Sequence, residues 1–473
     1  MTLKDATPEI CRALAHSLPD GVVAEPTHAY LEEPRGRYMG KAGALVRPRT
    51  TEQVARTVRF AAEHGIGIVP YAGGTGLVGG QIAEAGPLPI LLSVERLSSI
   101  RHVNRIDNVM VAEAGVILAD ARAAAQDADR LFPLSIAAQG SARIGGNLAT
   151  NAGGIQVLRY GNARDLCLGI EAVLADGSVL HGLSPLRKDN TGYDLRHLLI
   201  GSEGTLGIIT AASLRLYPQP SSVATGFVPV RSPSVALELL GLCQHAVGET
   251  LGAFELVHGQ GLRFLDETMP EIPQPFADRP EWSVLIEVAC GDQANASDAL
   301  EAALSQGLEA GLIEDALVAQ SQGQADAFWT VRETIPLANR RVGAVSSHDI
   351  SVPMSAIADF IDAGFEAIAE INPDLRLNCF GHLGDGNLHY NVFPPKGRDK
   401  KRYDSIRPKI KRTLHDLVHQ MGGSVSAEHG VGRLKTEDLE RYSDPAKLAA
   451  MRAIKAALDP KGILNPGAVL REV

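Results

Sequence analysis

Two histidines on either side of a predicted turn could bind a metal ion together. Asp385-Gly386 is a strong signal for a two-residue hairpin turn, and a turn there pairs His382 with His389 on adjacent antiparallel strands. Directly paired residues lie on the same face of a sheet, and Asn391, two residues beyond His389, shares that face. Two imidazoles and an amide that converge in this way predict a divalent metal site with an open coordination position. The alternative is a pair of surface histidines beside an ordinary hairpin.

A carboxylate and another histidine follow further along the chain. Glu428 and His429 lie in the stretch 423–432, whose pattern predicts a strand and a glycine turn. Adjacent residues on a strand point to opposite faces, so one of the two could bind the metal while the other has a separate role. Two histidines and a carboxylate are a common ligand set for Zn²⁺ and also suit Mn²⁺ or Fe²⁺. With an activated water, the same three ligands could instead serve a metallohydrolase, which would leave the glycine-rich tracts described next unexplained.

The loop Pro70–Gln81 concentrates glycines directly after a short buried strand. Gly74–Gly79 matches the G-x-G-x-x-G pattern of dinucleotide-binding folds, which requires a helix to begin there. Pro87 and Pro89 follow closely, before the next strand at Ile90, and leave no room for a crossover helix, so we exclude that interpretation. The crowded glycines still expose backbone N–H groups to an anion and let a phosphate approach closely. The alternative is a flexible surface loop.

A second tract, Pro133–Gly154, carries no charge except Arg143 and is dense in Gly, Ser, Thr and Asn. A loop rich in donors but poor in charge can wrap a large neutral ring system edged with carbonyls and ring nitrogens. The alternative, a long irregular linker, is uncommon inside a compact domain.

Length and composition limit the class of protein. A chain of 473 residues is too long for one core and suggests two or three domains. The net charge of −10 argues against a nucleic-acid surface, and no apolar run has the length of a transmembrane segment. The polar N-terminus carries acidic residues, unlike a secretory signal or a transit peptide. Five scattered cysteines predict reduced thiols in a cytoplasmic protein.

Local patterns predict the elements that must position these residues. Thr51–His64 has the apolar spacing of an amphipathic helix, with Thr51 as its N-cap. Residues 170–180 predict a hairpin, and Tyr217–Pro220 is a proline-rich break that predicts a domain boundary. Beyond that break, helices alternate with strands, which predicts an α+β domain with helices over an antiparallel sheet.

In their order along the chain, Pro70–Gln81, Gly140–Gly154 and Gly201–Thr210 resemble the FAD-binding domain of the vanillyl-alcohol-oxidase type. The resemblance implies an α+β fold with an FAD-binding domain (1–217), an α+β substrate and metal-binding domain with an antiparallel sheet (218–425), and a C-terminal segment that returns to the flavin (426–473). Pro70–Gln81 contains no histidine that could form a covalent bond to the flavin, so the resemblance implies non-covalent FAD. The cofactor-binding residues it implies are Pro70, Gly73, Gly74, Thr75, Gly76, Leu77, Gly140, Ser141, Gly145, Gly146, Asn147, Thr150, Asn151, Gly153, Gly154, Gly207, Ile209 and Asn465.

Phe380–Asn391 and Ser426–Gly430 resemble the substrate domain of the FAD-linked D-2-hydroxy acid dehydrogenases. The residues of these two motifs are most similar to those of the D-2-hydroxyglutarate branch, followed by those of the D-lactate branch. This resemblance implies metal-assisted oxidation of a D-2-hydroxy acid to the 2-oxo acid, with hydride transfer to flavin N5. The roles it implies are metal ligation by His382, His389 and Glu428, general-base catalysis by His429, carboxylate binding by Arg332, substrate contact by Asn391 and flavin contact by Asn465.

Two positions depart from the D-2-hydroxyglutarate branch. That branch holds the distal substrate carboxylate with an Arg, a Lys and a Thr, and the positions that match the Lys and the Thr are Ser347 and Pro336 here. Arg332 therefore remains alone, unless Arg340 or Arg341 replaces the missing groups. D-2-hydroxyglutarate is favoured, with D-lactate, another aliphatic D-2-hydroxy acid or a glycolate-oxidase-type subunit as alternatives. Expected partners are a small 2-hydroxy acid and an electron acceptor such as an electron-transfer flavoprotein or a quinone, and the pattern allows a homodimer.

Overall fold

The computed structural model describes residues 2–34, 36 and 38–471, and these form two compact units. Unit 1 comprises Met1–Gly153, Gly161–Gln219 and Glu428–Val473, and unit 2 comprises Gly154–Tyr160 and Pro220–Ala427. The short segment Gly154–Tyr160, which falls inside the first predicted domain, belongs to unit 2. The predicted C-terminal segment, 426–473, belongs to unit 1 from Glu428 onward.

Both units combine helices with strands. The α-helices are α1 (Pro8–Ser17), α2 (His28–Leu31), α3 (Thr51–His64), α4 (Leu118–Asp127), α5 (Ile144–Ala149), α6 (Val157–Tyr160), α7 (Leu195–Leu199), α8 (Pro233–Val247), α9 (Gly259–Thr268), α10 (Ala296–Glu309), α11 (Gln322–Val342), α12 (Ile357–Ile371), α13 (Arg407–Gln420), α14 (Thr436–Tyr442) and α15 (Pro445–Leu458). The strands are β1 (Val23–Ala24), β2 (Ala44–Val46), β3 (Ile68–Tyr71), β4 (Ile90–Ser93), β5 (Ile100–Asn104), β6 (Val109–Glu113), β7 (Arg130–Leu131), β8 (Cys167–Val173), β9 (Val179–Gly182), β10 (Ile208–Arg215), β11 (Tyr217–Pro218), β12 (Ser222–Val230), β13 (Leu251–His258), β14 (Trp282–Cys290), β15 (Leu317–Val318), β16 (Ser346–Ser351), β17 (Arg376–His382) and β18 (Asn387–Phe393).

Unit 1 contains a four-stranded sheet in the order β1-β2-β4-β3 and a five-stranded antiparallel sheet in the order β5-β6-β10-β8-β9. Strands β2, β4 and β3 run parallel, and the two inner strands, β2 and β4, are fully buried. Helix α3 buries Val54, Val58 and Ala61 in the core shared with these strands. Its N-cap is Thr50, whose side chain accepts the N–H of Gln53, so the predicted cap at Thr51 is wrong by one residue.

The two glycine-rich tracts of unit 1 differ in structure. No helix occurs between Tyr71 and Ile90, all of whose residues are described, which confirms the exclusion of a dinucleotide-binding βαβ unit. The second tract, which was predicted as a loop, contains the short helix α5. Ile144 and Leu148 are four residues apart and both buried, so apolar packing stabilises this helix despite its two glycines.

Unit 2 is built on a seven-stranded sheet in the order β15-β12-β14-β13-β17-β18-β16, and every pairing in it is antiparallel, as predicted. Alternate residues of β14 show that helices cover both faces. Val284 and Ile286 join the core formed with α8, α10, α12 and α13, whereas Leu285 joins the core formed with α9 and α11. Among the described residues, no helix combines the length and the apolar character needed to cross a bilayer. The five cysteines are all free thiols.

Candidate active site

Unit 1 contains a cavity of about 300 Å³ lined by the two glycine-rich tracts, the stretch 199–209 and residues of the C-terminal segment. Its lining includes fourteen of the residues expected to bind the cofactor: Pro70, Gly73, Gly74, Thr75, Gly76, Leu77, Gly145, Gly146, Asn147, Thr150, Gly153, Gly207, Ile209 and Asn465. Glu428 and His429, expected to act on the metal and the substrate, also line this cavity.

Four of the expected cofactor-binding residues do not line the cavity, namely Gly140, Ser141, Asn151 and Gly154. Asn151 has a structural role, because it adopts a left-handed backbone (φ 52°) and its Oδ1 accepts the N–H of Arg164. The carbonyl oxygen of Ser141 lies close to Gly73 of the first loop, and Gly154 belongs to unit 2. These residues were expected from a resemblance between whole tracts, which cannot distinguish the inner residues of a tract from its outer ones.

Two glycines allow the loops to approach each other. A Cβ atom at Gly73 would lie 2.3 Å from the carbonyl oxygen of Ser141, and one at Gly146 would lie 2.9 Å from the Cβ of Ala72. Both distances are too short for carbon atoms, so only glycine permits this packing. The backbone groups of both tracts are thereby gathered around one cavity.

The donors of the cavity fit a flavin. Asn147 is buried, and its Nδ2 has no hydrogen-bond partner within the described part of the chain. A buried amide donor without a partner is costly, and an acceptor on a bound ring would satisfy it. Apart from Arg143, Glu203, Glu428 and His429, the lining residues are glycines and other uncharged residues. This set suits a large, mostly neutral ring system.

Sequence reasoning missed Glu203, which supports the cavity. Its carboxylate accepts the backbone N–H groups of Val431 at 2.7 Å and Gly432 at 2.8 Å. Asn465 donates from Nδ2 to the carbonyl of Glu203 at 2.8 Å and to that of Gly80 at 3.0 Å. Burial raises the pKa of Glu203, although the two N–H groups oppose that shift. A charged residue within Gly201–Thr210 was the available signal.

The stretch 423–432 is not the predicted strand. Within it, only Ser424 forms a single bridge, to Ser351, and Glu428 and His429 lie in bends. Gly430 and Gly432 have positive φ angles of 78° and 51°, which interrupt an extended chain.

The hairpin β17–β18 has a different register from the one predicted. His382 pairs with Asn387, and His389 pairs with Phe380, because the connection is a four-residue loop that includes a 3₁₀ turn at Leu383–Asp385. Leu383 is fully buried in the core of unit 2, so the loop must turn inward. The pairing moves by two residues, an even number, so both histidines still lie on one face.

Their two rings are close neighbours on that face. The ring centroids of His382 and His389 are 5.7 Å apart, and a ligand nitrogen of one lies within 4.8 Å of a ligand nitrogen of the other. His382 Nδ1 is 2.7 Å from Oε1 of Glu255, which pairs with His382 across β13 and β17. A carboxylate that orients one imidazole nitrogen is the usual companion of a metal-binding histidine. The residues of this hairpin therefore fit a divalent metal ion.

Glu255 also binds Arg332 on α11. Arg332 Nη2 donates to Glu255 Oε2 at 2.6 Å, and the guanidinium lies 4.9 Å from the centroid of the Phe380 ring. Burial by itself would raise the pKa of Glu255, but the charges of His382 and Arg332 and their hydrogen bonds hold it below its ordinary value. Sequence reasoning missed Glu255, although it is the one charged side chain in the apolar stretch 253–257.

Polar side chains extend this face on the neighbouring strands. Asn391 pairs with Asn378, and its Nδ2 donates to the carbonyl of His389 at 3.0 Å. Asp349, another residue that sequence reasoning missed, pairs directly with His389, and its Oδ1 accepts from Nδ2 of Asn387 at 3.0 Å. These side chains are buried, apart from the half-buried His389, and they form a polar row on one face of the sheet.

The positions that depart from the D-2-hydroxyglutarate branch lie around the same strands. Ser347 is exposed and pairs with Asn391, on the same face as the polar row. Pro336 lies inside α11, one turn beyond Arg332, and the helix continues through it. Arg340 and Arg341 lie in the last turn of that helix and are exposed.

Two family models match the chain. Residues 42–182 match the family described as "FAD binding domain", and residues 219–469 match "FAD linked oxidases, C-terminal domain". The chain is 37% identical over 460 residues to the mitochondrial D-2-hydroxyglutarate dehydrogenase of Bos taurus, covering 96% of this chain and 82% of that protein. It is 37% identical over 427 residues to D-2-hydroxyglutarate dehydrogenase of Xanthomonas citri pv. viticola, covering 90% and 88%.

Solved structures confirm the predicted fold class. p-Cresol methylhydroxylase with substrate bound superimposes with a TM-score of 0.79 at 16% identity, covering 99% of this chain and 98% of that one. 4-Ethylphenol oxidase from Gulosibacter chungangensis gives a TM-score of 0.75 at 18% identity, covering 99% of both chains. The chain has the two-domain FAD fold of the vanillyl-alcohol-oxidase type.

Proposed function

Because this chain belongs to the FAD-linked D-2-hydroxy acid dehydrogenase family, we propose that it oxidises D-2-hydroxyglutarate with the help of a divalent metal ion. It is an FAD-dependent dehydrogenase that acts on a D-2-hydroxy acid. The observation that carries the metal is the pair His382 and His389, with Nδ1 of His382 already held by a buried carboxylate. The observation that favours a five-carbon dicarboxylate is the similarity to relatives that carry that name.

The ligand set follows from the chemistry of the side chains. His382 and His389 supply two imidazole nitrogens, and we expect Glu428 to supply the third ligand. This set suits Zn²⁺ and also Mn²⁺ or Fe²⁺. The ion, when bound, would lower the pKa of the substrate hydroxyl and hold the adjacent carboxylate.

The residues of the chain divide the remaining work. The flavin, when bound non-covalently, would accept the C2 hydride at N5. The imidazole of His429 takes up the hydroxyl proton, so the substrate loses one proton and one hydride and becomes the 2-oxo acid. Asn391 orients the substrate from the polar row, and Arg332 attracts its distal carboxylate. Asn147 and the glycine tracts would hold the flavin.

The substrate side chain is the least constrained part of this proposal. Arg332 is already paired with Glu255, which lowers the net charge available to a second carboxylate. Ser347 and Pro336 add no cation. These two facts favour the second candidate, D-lactate or another aliphatic D-2-hydroxy acid, and a glycolate-oxidase-type subunit is the third. For the acceptor of the electrons we propose an electron-transfer flavoprotein or a quinone.

Anaerobic flavin reduction tests the proposal directly. The purified protein is mixed with D- and L-2-hydroxyglutarate, D-malate, D-lactate, D-2-hydroxybutyrate and glycolate, and the flavin absorbance is followed. We expect the D-isomers alone to bleach the flavin, with D-2-hydroxyglutarate fastest. Treatment with a chelator should abolish the bleaching, and added Zn²⁺ or Mn²⁺ should restore it.

The outcomes separate the candidates. A preference for D-lactate would change the proposed substrate and leave the proposed flavin and metal chemistry unchanged. Bleaching by L-isomers, or bleaching that a chelator does not affect, would contradict the metal site. A protein that binds no FAD and hydrolyses a substrate would support the metallohydrolase instead, and a flavoprotein that no 2-hydroxy acid reduces would be an assembly subunit.

A further inference from the structure

Glu255 lies at the centre of the unit 2 sheet and contacts two residues of the proposed site at once. Only 1% of its surface is exposed. One carboxylate oxygen, Oε1, is 2.7 Å from Nδ1 of His382, and the other, Oε2, accepts from Nη2 of Arg332 at 2.6 Å. A single planar group thus binds both the expected metal ligand and the expected carboxylate-binding residue.

The surroundings make this arrangement rigid. Glu255 pairs with His382 in the sheet, so the distance between their backbones is fixed by the strand ladder. Arg332 comes from α11, is 5% exposed, and is held from another side by the Phe380 ring. A carboxylate buried this deeply is costly unless both oxygens are used, and here each oxygen has its own partner.

Removing either contact would loosen the other. If Oε2 lost Arg332, the carboxylate could rotate and Oε1 would no longer hold the His382 ring in one tautomer and orientation. If Oε1 lost His382, the Arg332 guanidinium would be free to tilt away from Phe380. The spacing between the metal-binding end and the carboxylate-binding end of the site therefore depends on one side chain.

We propose that Glu255 is a positioning residue that sets this spacing, by holding His382 with one oxygen and Arg332 with the other. The inference rests on the proposed function, because it takes His382 as a metal ligand and Arg332 as the carboxylate-binding residue. It adds that metal affinity and substrate affinity are coupled through a residue that touches neither ligand.

Glu287 provides a matched control. It lies on β14, next to β13, and is also a carboxylate within the sheet. Its Oε2 accepts from Nε1 of Trp329 at 3.0 Å, and Gln156 also forms a hydrogen bond with it, so its partners differ from those of Glu255. Glu287 is coupled to Glu255 through charge alone, so Glu287→Gln removes a neighbouring carboxylate and leaves both hydrogen bonds of Glu255 in place.

The first test is zinc titration of the full-length protein after chelation, with FAD bound. An amide has one acceptor oxygen, so Glu255→Gln can hold only one of its two partners. We expect its zinc affinity to fall about 10- to 100-fold, as for other residues that orient a metal ligand. We expect Glu287→Gln to keep zinc affinity within about twofold of the unaltered protein. The flavin absorbance and the thermal midpoint report whether each variant folds.

The second test changes Arg332, the other partner of Glu255, and remains decisive if Glu255→Gln does not fold. Arg332→Lys keeps a cation beside Glu255 but loses the planar guanidinium that fixes the carboxylate. Although Arg332 is not a metal ligand, we expect zinc affinity to fall in this variant as well, by about 3- to 10-fold. KM for the 2-hydroxy acid should rise in both variants more than kcat falls.

The results distinguish this inference from the proposed function. If the unaltered protein binds zinc and oxidises a D-2-hydroxy acid, while Glu255→Gln and Arg332→Lys bind zinc as it does, the coupling is wrong and the function stands. An equal loss in Glu287→Gln would also overturn it, because the effect would then be general. If the unaltered protein binds no zinc, the metal proposal fails first and this inference fails with it.

Discussion

The carboxylate of Glu203 accepts the backbone N–H groups of both Val431 and Gly432, at 2.7 and 2.8 Å, directly after His429. Asn465 adds a third hydrogen bond, because its Nδ2 donates to the backbone carbonyl of Glu203 at 2.8 Å. The stretch that carries His429 has no regular secondary structure of its own. The position of the expected general base within unit 1 therefore depends on a residue more than 200 positions earlier in the chain.

Glu203→Gln should loosen this stretch. Glutamine has one acceptor oxygen, so one of the two N–H groups would face an amide N–H₂ and lose its partner. A buried donor left unsatisfied costs about 1–3 kcal/mol. We expect the free energy of unfolding in urea to fall by that amount and the release of FAD on dilution to become faster. Unchanged stability together with unchanged FAD release would show that the two hydrogen bonds do not support the cavity.

Gly73→Ala should weaken FAD binding. The added Cβ would lie 2.3 Å from the carbonyl oxygen of Ser141, so the first loop must move away from the second. Overpacking of this kind costs about 1–3 kcal/mol, and we expect the dissociation constant of FAD, measured by fluorescence, to rise about 10-fold.

Gly140→Ala is the control for that substitution. Gly140 was expected from the sequence to bind the cofactor, but it does not line the cavity, and no atom lies within 4 Å of a Cβ placed there. FAD affinity should stay within about twofold of the original. A larger loss at Gly140 than at Gly73 would favour the residue set expected from the sequence over the cavity that the structure defines.

Local signals in the sequence predicted local structure well. Ser232 and Asp444 each stand directly before a proline in the sequence, a pattern typical of a helix start, and both are N-caps, because a cap depends only on the next three residues. The hairpin at Asp385-Gly386 shows where such reasoning ends. The chain does turn at Asp385-Gly386. However, Leu383 is buried in a core built from distant helices, and this packing makes the strand register differ from the predicted one by two residues.

The residues of the candidate site also differ in whether a local sequence signal reveals them. The glycine tracts and the two histidines were recognised because their types and spacing are visible within a short stretch. Glu203 and Glu255 were not, because their partners lie 228 and 127 positions away, in Val431 and His382. A buried carboxylate that connects distant elements leaves only a weak signal, a charge in an apolar or glycine-rich stretch.

Gly386→Ala should disturb the histidine pair. Gly386 has a φ of +83°, and a Cβ there would lie 2.5 Å from the carbonyl oxygen of Val352. We expect a loss of about 2 kcal/mol in stability, from the strained backbone and the clash together, and weaker zinc binding. Gly397→Ala is the control, since its φ of +76° carries the same strain but its Cβ position is open. If both variants lose zinc affinity equally, the contact with Val352 is irrelevant to the site.

Ser347→Lys should shift the substrate preference toward dicarboxylates. The position is exposed and pairs with Asn391, so a lysine there would add a cation beside the polar row. A new ion pair with the distal carboxylate would lower KM for D-2-hydroxyglutarate relative to D-lactate by about 3- to 10-fold, with the gain decreasing as salt is added. Ser347→Gln, of similar length without the charge, should leave the ratio unchanged. A shift of the same size in Ser347→Gln would mean that side-chain length is the cause.

Glu287 and Glu281 should give opposite dependences of stability on pH. Burial raises the pKa of Glu287 above 4.5, against the hydrogen bond from Trp329. Its contribution to stability is therefore fully present below pH 4.5 and lost as pH rises through the raised value. In urea unfolding, Glu287→Gln should have the same free energy of unfolding as the original protein at pH 4.5 and a higher one at pH 8.

Glu281 differs, because its hydrogen bond with His258 lowers its pKa to about 2. Glu281→Gln should be the less stable protein at pH 6, and the difference should disappear as pH falls toward 2; differences of the same sign in both variants would contradict these assignments.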